Sequence, residues 1–78
     1  MARNPIDLVV EDVERTKKGR VKHNWNPEIG DDSELAVMFI KKQSPNKSER
    51  IKDLVQAAAL LVMEIGQLQA IKGDLNKR

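Results

Sequence analysis

Residues 54–68 read LVQAAALLVMEIGQL, the most apolar stretch of the chain, interrupted only by Gln56, Glu64, Gly66 and Gln67. The pattern around it predicts a helix that starts near Pro45 or Asn46 and runs to about Lys72, with Gly73 as its stop. Ile51, Leu54, Val55, Ala58, Leu61, Val62, Ile65 and Leu68 share one broad face. Leu54, Leu61, Leu68 and Leu75 recur at intervals of seven, and Ile51, Ala58 and Ile65 complete an a/d heptad pattern that Lys72 then interrupts. Within it AAALLVM, residues 57–63, is apolar around the whole circumference. Leu60 and Met63 are expected to point away from the main stripe, toward water. A helix of this kind is normally surrounded by protein.

The rest of the chain is short for that task. With 78 residues it makes one domain and buries only about 60% of the surface its unfolded form exposes. About 26 helical residues span roughly 39 Å. A globule of this size has a radius of gyration near 11–12 Å and a diameter of about 30 Å, so the rod is longer than its expected cover. Oligomerisation is the expected remedy, because no cysteine is present and His23 is the only histidine. The lack of cysteine also suits a reducing compartment. The N-terminus MARNPIDLVVEDVE turns acidic where a signal peptide needs an apolar core. Gln56 and Glu64 are expected to keep the apolar run below the roughly 20 residues of a membrane span. These points lead us to expect a soluble cytoplasmic protein with no membrane partner.

Two shorter helices are expected upstream. NPIDLVVEDVERTKKG offers Asn4 as a cap, Pro5 in the first turn, Asp7 at the positive end of the dipole and Gly19 as a stop. Ile6, Val9, Val10 and Val13 form its apolar stripe. The competing assignment is a β-hairpin, Val9–Thr16 and Arg20–Trp25 around KKG, which would make the fold α+β. RVKHNWNPEIG is expected to be a loop whose Trp25 caps the core. DDSELAVMFIKKQ reads as the second helix, with Asp31 and Glu34 spaced as a capping box and Lys41 and Lys42 at its negative end. The expected organisation is thus all-α: 1–30 for the first helix and a basic, Trp-bearing loop, 31–43, 45–73, and a charged tail at 74–78.

Residues suited to chemistry are sparse. Ser33, Ser44 and Ser48 lack an evident base, and the four glycines are scattered rather than gathered in a phosphate loop. The net charge of +2 demands no polyanion. Even so, Arg15, Lys17, Lys18, Arg20 and Lys22 form a basic run next to Trp25, a candidate site for an anion or nucleic acid. Glu11 and Glu14, and Glu28 and Asp31, are two acidic pairs with i,i+3 spacing. This arrangement resembles the ExxE…ExxD pattern of the all-α nucleoside triphosphate pyrophosphohydrolases, the MazG-like family. The resemblance implies, as an alternative, magnesium held by those four carboxylates.

The preferred expectation is a non-catalytic accessory or regulatory protein without cofactor or metal. It would form a dimer or higher oligomer and bind another protein through Leu54, Ala58, Leu61, Ile65 and Leu68, extended by Leu60 and Met63. A small nucleic-acid-binding protein using residues 15–23 is the alternative.

Overall fold

The computed structural model describes residues 3–75, and side chains as far as Ile71. It contains three helices: α1 Pro5–His23, α2 Asp31–Lys42 and α3 Lys47–Leu75. The described residues include no strand, so the hairpin alternative is overturned.

The start of α1 is built as its sequence predicts. The Asn4 side chain accepts a hydrogen bond from the Ile6 N–H at 2.8 Å, and Pro5 fills a position whose N–H would have no partner. The end is not. The helix passes through Gly19 and carries RVKH with it, so the expected basic loop is helical. It stops at Asn24, which is left-handed (φ 52°). There the Asn24 N–H donates to the Val21 carbonyl and the Trp25 N–H to the Arg20 carbonyl, satisfying two carbonyls of the last turn.

Helix α2 begins after Gly30, at φ 100°, and ends at a left-handed Gln43. The Asp31–Glu34 capping box does not form; Asp31 accepts instead from the Glu28 N–H upstream. Asn46 caps α3 through the Ser48 N–H at 2.8 Å. Gly73 does not stop α3, which continues to Leu75. The charged tail beyond Leu75 lies outside the described residues.

Helices α1 and α2 each pack on α3, and their backbones stay clear of one another. Val9 and Val13 of α1 meet Ala59 and Met63. Leu35, Ala36 and Phe39 of α2 meet Ala57 and Leu60. Alanines at these crossings let the helix axes approach closely. Helix α2 runs antiparallel to α3, with Ser33 beside Glu64 at one end and Ser44 beside Asp53 at the other. Helix α1 runs in the same sense as α3, so that Leu8 and Asp12 flank residues 51–56 and Arg20 and Val21 flank 62–69. The body is not the expected globule. Its extents are 46 × 26 × 25 Å and its radius of gyration is 14.0 Å, because the molecule takes its length from α3.

Candidate functional site

The two short helices settle which face of α3 is inside. Ala57, Ala59, Leu60 and Met63 are buried, whereas Ile51, Leu54, Leu61, Val62, Ile65 and Leu68 are 41–54% exposed. The expectation for Leu60 and Met63 is therefore reversed. They fill the core and cannot meet a partner while the chain stays folded. The heptad face is the open one. Successive helical residues turn by about 100°, so the exposed residues cover an arc of about 120° over some 26 Å of helix. No charged residue falls within that arc between Ile51 and Leu68. Ala58, half-buried, lies near its centre.

The apolar surface continues onto α1. Ile6, Val9, Val10, Val13 and Val62 line a groove of about 530 Å³ between α1 and α3, with Ile6 70% exposed. A larger groove of about 830 Å³ lies toward the end of α1, lined by Lys17, Arg20, Val21, Trp25, Ile65 and Gly66 among others. A Cβ added at Gly66 would meet nothing within 4 Å, so this glycine does not mark a close helix approach.

Polar residues hold the three helices in register. Asp32 is fully buried and pairs with the Arg20 guanidinium, one of whose hydrogen bonds spans 3.2 Å. The Trp25 ring covers that guanidinium at 4.8 Å. Trp25 is itself 44% exposed, so it shields an ion pair rather than capping the apolar core. Glu64 of α3 closes the N-terminus of α2. Its carboxylate accepts from the Gly30 N–H at 3.0 Å, the Ser33 N–H at 3.2 Å and the Ser33 hydroxyl. The Ser33 hydroxyl, aided by the two backbone N–H groups and opposed by desolvation, holds the Glu64 carboxyl below its ordinary value. Gln67 donates to the Pro27 carbonyl at 3.0 Å, and buried Asp53 accepts from the Ser44 hydroxyl at 2.7 Å. By length and composition alone Lys47–Ile71 could cross a bilayer, contrary to the expectation from its polar residues. Asp53 and Glu64, within that span, are the groups engaged by α2 and its flanking residues.

The other candidate residues separate. Arg15 pairs with buried Asp12 at 2.9 Å, and Arg20 is taken by Asp32. Lys17, Lys18 and Lys22 remain exposed and form no ion pair among the described residues. The four carboxylates of the magnesium alternative do not come together. Glu11 pairs with Arg3, Glu28 lies in the linker, Asp31 opens α2, and the described residues hold no metal-competent cluster. Glu28 and Asp31 share no helix, so the facing-helix geometry behind the MazG-like resemblance is absent. Nothing in the local pattern around Asp32 or Glu64 marks either as a tertiary tie. Comparison with known proteins finds no matching family model, no matching curated protein and no matching solved structure.

Proposed function

We propose that this chain is a non-catalytic accessory or regulatory module that self-associates and binds helical protein partners through the outer face of α3. One observation carries this reading: a charge-free apolar arc, in heptad order, lies outside on a helix whose other side is already packed. Water against six half-exposed aliphatic side chains is unfavourable, and removing it contributes about 25 cal/mol per Å². A soluble protein of the cytoplasm, with no cofactor, is the setting this reading implies.

Light scattering across a concentration series tests it. The wild type is expected to exceed the mass of one chain, and Leu61→Asp to return it to one chain with helicity kept. A wild type that stays at one-chain mass at high concentration defeats the self-association.

A second reading has a specific observation behind it. Arg15, Lys18 and Lys22 recur at i, i+3 and i+7 along α1, a basic row that could follow a phosphate backbone. A salt titration with single-stranded RNA and duplex DNA tests it; affinity that does not fall as salt rises excludes phosphate contact.

A further inference from the structure

We propose that the occupant of the open α3 face is α3 of a second copy, running antiparallel, with Ala58 of each chain opposite Leu61 of the other. This rests on the self-association proposed above and specifies its geometry.

Three observations select this arrangement. The first is shape. Ile51, Ala58 and Ile65 alternate with Leu54, Leu61 and Leu68 along the open face. In a parallel pair each residue faces its own copy, and the Ala58 layer is left underfilled between leucine layers. Reversing one helix sets Ile51 opposite Leu68, Leu54 opposite Ile65, and Ala58 opposite Leu61. Small then meets large twice at the centre, and the layers interdigitate. The second is charge. Lys47, Arg50 and Lys52 on α3 and Lys41 and Lys42 at the end of α2 crowd one end of the face, against Glu49 and the buried Asp53. A parallel pair brings two such ends together, and an antiparallel pair separates them by the length of the stripe. The helix dipoles also oppose one another in that arrangement.

The third is area. The six half-exposed residues of α3 leave on the order of 500 Å² in water, and Ile6 and Val10 across the groove raise this to roughly 700–800 Å², near the 800 Å² per partner of a stable interface. An isologous pair uses one patch twice, so a single charge-free face serves both chains.

The native chain contains no cysteine, which makes disulfide mapping direct. Ile51→Cys and Leu68→Cys are prepared separately; both positions are half-exposed, so neither substitution opens the core. An equimolar mixture oxidised at high concentration is expected to yield severalfold more cross-linked dimer than either variant alone. Cross-linking of each variant with itself, as efficient as in the mixture, overturns the antiparallel arrangement and leaves self-association standing. A dimeric mass without cross-links in any sample places the contact on another face and also overturns it. One-chain mass throughout overturns both proposals. Spin labels at Lys47→Cys give a readout independent of disulfide chemistry. Antiparallel chains place the two labels roughly 38 Å apart along the axis, whereas parallel chains place them side by side.

Discussion

Leu60 and Leu61 are neighbours in sequence and opposites in environment, and replacing each with alanine tests the whole assignment of faces. Leu60 is 8% exposed and packs on Ala36 and Ala57, with Leu35 and Phe39 against the same cluster. Leu61 is 41% exposed. Truncating a buried leucine costs about 2–5 kcal/mol, the transfer term plus the cavity left behind. The core here is one side chain deep and bounded by alanines, so partial collapse is easy and the lower part of that range, about 2–3 kcal/mol, is expected. A domain of this length has a total stability of about 4–12 kcal/mol, so the loss is a large share of it. The expected fall in Tm is about 10–20 °C. Leu61 belongs to neither buried cluster, and Leu61→Ala is expected to change the stability of the dilute protein by about 0.5 kcal/mol or less. Its effect should instead appear as a loss of the rise in Tm with protein concentration. Thermal and urea unfolding, followed by circular dichroism at concentrations a hundredfold apart, separate the two effects. If Leu61→Ala in dilute solution lowers the Tm as far as Leu60→Ala, the Leu61 face of α3 is packed within the chain and is not free for a partner.

Three further outcomes follow from the polar ties and the glycines. Arg20→Ala leaves the Asp32 carboxylate buried without its partner and should cost about 3–5 kcal/mol, while the double substitution Arg20→Met with Asp32→Leu should recover much of that by urea titration. The Glu64 carboxyl is held below its ordinary value of 4.5, so the stability it contributes is fully present above that pH and is lost as pH falls through the depressed folded value. The stability difference between wild type and Glu64→Gln should therefore shrink on acidification from pH 6 to pH 3, and a constant difference would contradict the cap. Gly19→Ala and Gly66→Ala meet no obstruction and should each stabilise the chain by about 0.5–1 kcal/mol, read as a rise in the urea midpoint.

Local signals in the sequence were sufficient where local chemistry decides. Asn4 and Pro5 fix the start of α1, and the all-α architecture follows from the capping residues and the spacing of apolar positions. Two kinds of information were missing. Because residues 57–63 are apolar all round, spacing shows that α3 has several faces fit for burial but not which one its neighbours take. The alanines decide that, since Ala57 and Ala59 admit close crossings that the bulky heptad face does not. The second kind is tertiary. Glu64 reaches α2 from more than 30 positions away and displaces the Asp31–Glu34 box that the sequence offers locally. Gly19 was a misleading stop for a related reason: a glycine ends a helix only where the chain must turn left-handed, and that demand falls on Asn24.

Helices α1 and α2 touch one another through the polar Arg20–Asp32 pair, but each finds its apolar neighbours on α3. On the ribosome the first forty-odd residues therefore emerge before the helix that supplies their apolar contacts. The Glu64 carboxylate that caps α2 follows it by more than 30 residues, so the cap closes only once that part of α3 has been made. A fragment that ends in the 43–46 turn should show little helix, and adding α3 as a separate peptide should restore it.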